Sequence, residues 1–128
     1  MTQLNAVKYW LESGNRNLKS ANRLVKQEHY DWGLFVGQLA LEKLLKGIIT
    51  KKEDKSPPPI HDLAKLAEIT KIKFTQTQLK QLNEITTFNI EARYDSYKLA
   101  FYKKATRQYS QKWLKIINQL ATWFISLY

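Results

Sequence analysis

Residues 37–49 read GQLALEKLLKGII, and the order of polar and apolar residues in this stretch indicates how the chain folds. At about 100° per residue on an α-helix, Gln38, Glu42 and Lys46 stack one turn apart on a single stripe. Apolar side chains flank that stripe on both sides and leave no wide face for solvent: Phe35, Leu39, Leu41, Leu44, Leu45, Ile48 and Ile49. A helix that is apolar nearly all round is buried on more than one side. The stretch therefore predicts a central helix with three polar groups forming one wall of a cleft.

The composition limits the class of protein. With 128 residues, of which 44% are hydrophobic and 25% charged, the chain suits one globular domain spanning residues 1–128. The chain has no cysteine and two histidines, which excludes a disulfide framework and a cysteine nucleophile and disfavours a structural zinc site. No apolar run has the length of a signal peptide's core or of a membrane span. We therefore expect a cytoplasmic protein without a membrane partner.

The charge is strongly basic, with 21 Lys and Arg against 11 Asp and Glu and a net charge of +10. Such an excess attracts a polyanion, whether RNA, DNA or an acidic protein. The basic residues are nevertheless spread along the chain without a dense arginine block, so a solvated, lysine-rich surface explains the charge equally well.

Helical periodicity recurs along the chain. It predicts four long helices at about residues 4–27, 31–50, 75–89 and 106–127, and a short helix at about 61–69. The polar run 51–59 ends in three prolines and forms a loop between the second and third helices. The sequence thus predicts an all-α, up-and-down bundle of four long helices plus one short helix. Since a second copy of the chain would cover the extra apolar side of the central helix, we expect a two-fold dimer through that helix.

Two segments outside this periodicity carry candidate binding residues. His61 and Asp62 follow the proline loop, where they either begin the short helix or line a cleft against the second helix. Residues 91–98, EARYDSYK, link the last two long helices, and Arg93 and Tyr94 are suited to gripping a phosphate and stacking on a ligand. Equally, Arg93 could pair with Glu42 or Glu91 while Tyr94 fills the end of the bundle.

Arg23 and His29 form a second candidate pair at the end of the first helix. A metal-independent ribonuclease could use the histidine as acid or base and the arginine to stabilise charge on the phosphate. Six residues turn a helix by about 600°, so the two side chains share a face only if the helix ends between them. Basic groups at a helix C-terminus are also favoured by the helix dipole alone.

Taken in order, these motifs resemble the HEPN domain, the "higher eukaryotes and prokaryotes nucleotide-binding" family. The resemblance covers about residues 4–127 and rests on Gln38-x3-Glu42-Lys43-x2-Lys46, His61-Asp62-Leu63 and Arg93-Tyr94. It implies a helical bundle that dimerises and that is commonly encoded beside, or fused to, a minimal nucleotidyltransferase.

The resemblance also separates two functions. Ribonucleases of the family carry Arg-x4-6-His near the last helices, whereas here Arg93 is followed at those positions by Lys98, Leu99 and Ala100. This departure favours a non-catalytic module that binds a nucleotide, a minimal nucleotidyltransferase partner or both, in a toxin–antitoxin-like pair. The alternative is a metal-independent ribonuclease toxin that acts on RNA. The residues assigned to ligand or partner binding are Gln38, Glu42, Lys43, Lys46, His61, Arg93 and Tyr94. Those of the alternative ribonuclease are Arg23 and His29, or Arg93 and His61 in a dimeric site. No catalytic residue, metal or cofactor is assigned.

Overall fold

The computed structural model describes residues 2–128, and this part of the chain contains six α-helices and no strand. The helices are α1 (Gln3–Lys26), α2 (Tyr30–Glu53), α3 (Leu63–Thr70), α4 (Gln76–Arg93), α5 (Asp95–Lys104) and α6 (Arg107–Ser126). The predicted all-α bundle is confirmed, with α1, α2, α4 and α6 as its long helices and α3 as its short one. The sequence did not predict α5, because residues 91–98 were interpreted as a linker. None of the helices within residues 2–128 is long and apolar enough to span a bilayer.

Side-chain caps explain where four of the helices begin. The N-cap residues of α1, α3, α4 and α6 are Thr2, Asp62, Thr75 and Thr106, respectively. The side chain of each cap accepts a hydrogen bond from the backbone N–H three residues further on. Because Asp62 caps α3, that helix begins at Leu63, two residues later than expected. His61 therefore lies just outside α3, where its side chain is free to point toward another helix.

The central helix is α2, which packs against α1, α3, α4 and α6. Most of its residues between Gly33 and Thr50 are buried, including Gln38, Glu42 and Lys46. Helices of the same chain thus cover the apolar sides of α2. The dimer interface that we expected on this helix is therefore not needed to explain its apolar surface.

Gly47 lets two other segments approach α2 closely. A Cβ atom at this position would lie 2.8 Å from the Cβ of Trp10 on α1 and would overlap the hydroxyl of Tyr128. The missing side chain therefore allows Trp10 to pack directly against the last turns of α2, beside Lys46.

Side chains of α4 and α6 hold α5 against the bundle. The ring of the buried Phe101 lies 5.5 Å from that of Phe88 on α4. Lys104 Nζ lies 3.1 Å from Glu84 Oε2, which also accepts a hydrogen bond from the Tyr109 hydroxyl of α6. Burial alone would raise the pKa of the Glu84 carboxyl. The hydrogen bonds from Tyr109 and Lys104, together with the charges of Lys104 and Lys112, outweigh burial and leave that pKa below its ordinary value. Burial and the bond to Glu84 together raise the pKa of Tyr109.

Candidate functional site

Glu42 is the centre of a network of buried polar side chains on α2. Glu42 is only 6% exposed, and its carboxylate accepts hydrogen bonds from three side chains. Lys46 Nζ lies 3.0 Å from Oε2, while Gln38 Nε2 and His61 Nδ1 lie 3.2 and 2.9 Å from Oε1. These donors satisfy a charge that would otherwise cost several kcal/mol to bury. The polar stripe predicted from the sequence is thus paired internally and extends to His61.

Gln38 carries the network from α2 to α4. It is fully buried, and its Nε2 also donates to the backbone carbonyl of His61 at 3.0 Å. Its Oε1 accepts a hydrogen bond from Asn89 Nδ2 at 2.9 Å. Asn89 in turn holds Arg93, whose Nη2 lies 2.8 Å from Asn89 Oδ1 and whose Nε lies 3.0 Å from the Asn89 carbonyl. A continuous series of hydrogen bonds therefore connects Lys46 with Arg93.

The network reaches solvent at His61 and Arg93. The side chain of His61 is 52% exposed. Because the ionised carboxylate of Glu42 can only accept, His61 Nδ1 carries the hydrogen, and Nε2 is available to solvent or to a ligand. Arg93 is exposed as well, and its guanidinium carbon lies 5.5 Å from the ring centre of the half-exposed Tyr94.

Other predicted site residues lie outside this network. Lys43 is half-buried, and burial lowers the pKa of its ammonium, an effect that Glu42 opposes and Arg16 reinforces. Arg23 lies in the last turn of α1 and His29 at the N-cap of α2. Both are exposed, and no hydrogen bond joins them in the described structure. The network therefore contains Gln38, Glu42, Lys46, His61 and Arg93, with Tyr94 at its border.

Sequence reasoning missed Asn89, the residue that connects α2 to Arg93. The predicted fourth helix ended at this residue, whereas α4 continues to Arg93 and places the two side chains one turn apart. Arg93 consequently pairs with Asn89, rather than with Glu42 or Glu91 as one interpretation proposed, and Tyr94 is exposed rather than filling the end of the bundle. A buried amide on the apolar side of the helix, one turn before an arginine, was the available signal.

The chemistry available at the exposed end is hydrogen bonding and positive charge. His61 Nε2 can make one further hydrogen bond, and the Arg93 guanidinium retains donors for a bidentate contact with a phosphate or carboxylate. Within residues 2–128, no three His, Cys, Asp or Glu side chains converge as the ligands of a metal ion would. The geometry therefore fits recognition of an anion by two exposed basic side chains.

Comparison with known proteins relates this architecture to a family. The family model of the HEPN domain matches residues 7–127, whereas no curated protein matches the chain significantly. The structure is similar to that of TT1696 from Thermus thermophilus, with a TM-score of 0.81 and 20% identity over 95% of this chain and 97% of the other. It is also similar to ST0689, an archaeal HEPN homologue, with a TM-score of 0.70 and 16% identity over 92% and 93% of the two chains. At such identities the two structures show a shared fold alone. Because the family model covers nearly the whole chain, this protein belongs to the HEPN domain family.

Proposed function

We propose that this HEPN domain is a non-catalytic module that binds a nucleotide through Arg93 and His61. The observation that carries the proposal is the way in which Arg93 is held. Two hydrogen bonds to Asn89 orient its guanidinium while the side chain remains exposed. A guanidinium oriented in advance loses less side-chain entropy when it meets a phosphate. Tyr94 offers an exposed ring beside it, and the net charge of +10 attracts polyphosphate.

The buried members of the network position the exposed ones. Lys46 is only 7% exposed and is paired with Glu42, so it stabilises the carboxylate that orients His61. Gln38 fixes the spacing between the His61 backbone and Asn89. Glu42 and Gln38 are thus positioning residues, while His61 and Arg93 contact the ligand.

Titration calorimetry with ATP, GTP and a short RNA tests the proposal. A charged hydrogen bond is worth about 1.5–3 kcal/mol, so Arg93→Ala is expected to weaken nucleotide binding by about 10- to 150-fold. Arg93→Lys keeps the charge but loses the fork and is expected to recover only part of the affinity. Arg107→Ala, which removes an exposed arginine at the start of α6, is the matched control and should bind as the wild type does. If none of the three ligands binds to the wild type, the proposal is wrong.

We also propose that the domain forms a homodimer through α5 and the end of α4. Large apolar side chains of these two segments are about half-exposed or more: Ile90, Tyr97, Leu99 and Tyr102. Exposed apolar surface of this kind is typical of protein interfaces. Light scattering after size exclusion should give a dimer for the wild type and a monomer for Tyr97→Glu with Leu99→Glu. A wild-type monomer at every concentration tested would contradict the dimer.

A minimal nucleotidyltransferase is the partner that we propose, as the other member of a toxin–antitoxin-like pair. The resemblance of the sequence motifs to the HEPN family supports this proposal, because it implies a domain that is commonly encoded beside such an enzyme. The test is co-expression of the tagged HEPN domain with a nucleotidyltransferase encoded by a neighbouring reading frame. Stable co-purification would support the pairing, and a neighbouring enzyme that does not bind would contradict it.

A ribonuclease is the second candidate function, and the contact between Glu42 and His61 favours it. A carboxylate that accepts the Nδ1 hydrogen leaves Nε2 as an acid or base, and Arg93 could stabilise negative charge on the phosphate. The purified protein should therefore be incubated with RNA in the presence of a metal chelator. Cleavage that His61→Ala abolishes and His29→Ala leaves intact would show that the domain is an enzyme. The reverse pattern would assign the activity to Arg23 and His29.

A further inference from the structure

A groove of about 590 Å³ lies beside the polar network, between the first turns of α1, the last turns of α2 and the loop that follows α2. Its volume falls within the range of about 300–1,000 Å³ that is typical of small-molecule sites. Tyr9 and Trp10 line the groove, with ring centres 5.1 Å apart and planes at 72°. Pro57 and Pro59 of the loop also line it. The groove therefore presents flat apolar surfaces to whatever enters it.

Lys46 brings a buried ammonium group to this groove. It is 7% exposed, and its Nζ lies 5.9 Å from the ring centre of Trp10. Within residues 2–128, Glu42 is the sole hydrogen-bond acceptor of the ammonium, so two of its three N–H groups have no protein acceptor. Buried donors normally have partners, so these two N–H groups can donate to the acceptors of a molecule that enters the groove.

Contacts between α1 and α2 hold two walls of the groove in place. Gly47 allows Trp10 to pack against α2, and Gln3 Nε2 donates to the carbonyls of Thr50 and Lys51 at 3.2 and 3.0 Å. These contacts fix α1 against the end of α2 where the two helices line the groove. A ligand that fits between them therefore loses little affinity to reorganisation of the protein.

We propose that the groove binds the base of the nucleotide, with the ring against Trp10 and an acceptor on its edge directed toward Lys46. This inference rests on the proposed function. Every nucleobase has a flat π face and nitrogen or oxygen acceptors at its edge, which match these two features. The groove also adjoins the proposed phosphate contacts, because one Glu42 carboxylate bonds Lys46 through Oε2 and His61 through Oε1. The base belongs either to a free nucleotide or to a nucleotide within single-stranded RNA.

Binding of nucleosides tests the groove separately from the phosphate contacts. Adenosine, guanosine, their monophosphates and a short RNA would be titrated against the wild type, Arg93→Ala and three variants of the groove and its control. Stacking of a base on an aromatic side chain contributes about 5- to 150-fold to affinity. Trp10→Ala should therefore weaken the binding of both nucleosides and nucleotides by that factor. Ala6→Phe places an aromatic ring in the groove, which should weaken the binding of nucleosides and nucleotides as well. Trp32→Ala removes a half-exposed tryptophan that does not line the groove and is the matched control.

The outcomes separate the groove from the proposed function. Thermal unfolding identifies any variant that fails to fold. If Trp10→Ala does not fold, the test rests on Ala6→Phe, which changes a partly exposed residue. Nucleotides that bind normally to a folded Ala6→Phe or Trp10→Ala variant, but not to Arg93→Ala, would overturn the groove assignment and leave the proposed function standing. If these variants no longer bind the mononucleotides, the groove binds a free nucleotide. If they lose binding of the RNA alone, the groove binds a base within RNA. If no ligand binds to the wild type, both inferences are wrong.

Discussion

Replacing Glu42 with glutamine leaves the Lys46 ammonium buried without an anion beside it. Glu42 and Lys46 are 6% and 7% exposed, and the bond between them is 3.0 Å long. Removal of one member of a buried ion pair typically costs about 3–5 kcal/mol, because the other charge remains buried. The amide oxygen of glutamine can still accept one hydrogen bond, so we expect the lower end of that range, about 3 kcal/mol.

Urea unfolding at pH 7, followed by circular dichroism, measures this free energy. With an m value of about 2 kcal/mol/M, a loss of about 3 kcal/mol lowers the urea midpoint by about 1.5 M. Lys46→Met removes the cation instead, and should cost less because Glu42 keeps the hydrogen bonds from Gln38 and His61. The double variant Glu42→Gln/Lys46→Met should lose less free energy of unfolding than the two single losses added together. We expect this difference, the coupling energy, to be at least about 1 kcal/mol.

The pair formed by Lys98 and Asp95 is the matched control. These residues also lie one turn apart, with Nζ 3.2 Å from Oδ1, but the Asp95 side chain is 97% exposed. Water screens such a pair, so Asp95→Asn should leave the urea midpoint nearly unchanged. If Glu42→Gln changed the midpoint no more than Asp95→Asn, or if the Glu42 and Lys46 losses were simply additive, the argument for a buried ionic network would be refuted.

Three further substitutions test other parts of the structure. Gly47→Ala places a methyl group 2.8 Å from the Cβ of Trp10, and should lower the free energy of unfolding by about 1–3 kcal/mol in the same urea assay. A stability equal to wild type would contradict the close approach. Lys71→Gly should raise the melting temperature. Lys71 has a φ of 60° at the end of α3, where glycine avoids a strain of about 1 kcal/mol. An unchanged or lower melting temperature would count against this reasoning. Glu84→Gln tests the contacts that hold α5. The pKa of Glu84 in the folded state is below its ordinary value of 4.5, so its carboxylate stabilises the fold above that pH and loses this effect as the pH falls through the folded-state pKa. The wild type should therefore be more stable than Glu84→Gln near pH 7, and this advantage should shrink below about pH 4.5; a pH-independent difference would exclude the mechanism.

Much of the fold was accessible from local spacing. Residues one helical turn apart share a face whatever the tertiary structure, so the apolar periodicity predicted the four long helices and the alignment of Gln38, Glu42 and Lys46. The sequence does not predict α5, because Phe101 is its one buried residue and the helix has no apolar stripe. Its position depends instead on contacts from Glu84 of α4 and Tyr109 of α6, which sequence spacing does not contain.

The spacing of apolar and polar residues predicts a helical domain whose central helix carries polar groups into the interior. The contacts of those polar groups are visible only in the folded chain. The contacts from Glu42 to His61 and from Gln38 to Asn89 span 19 and 51 residues of sequence, and depend on how α2 packs against α4 and the loop before α3. The tertiary structure also showed that α2 is covered within a single chain and that a groove lies beside Lys46. The physical reason is that helix periodicity comes from local backbone geometry, whereas the partners of a buried charge are set by packing between distant segments.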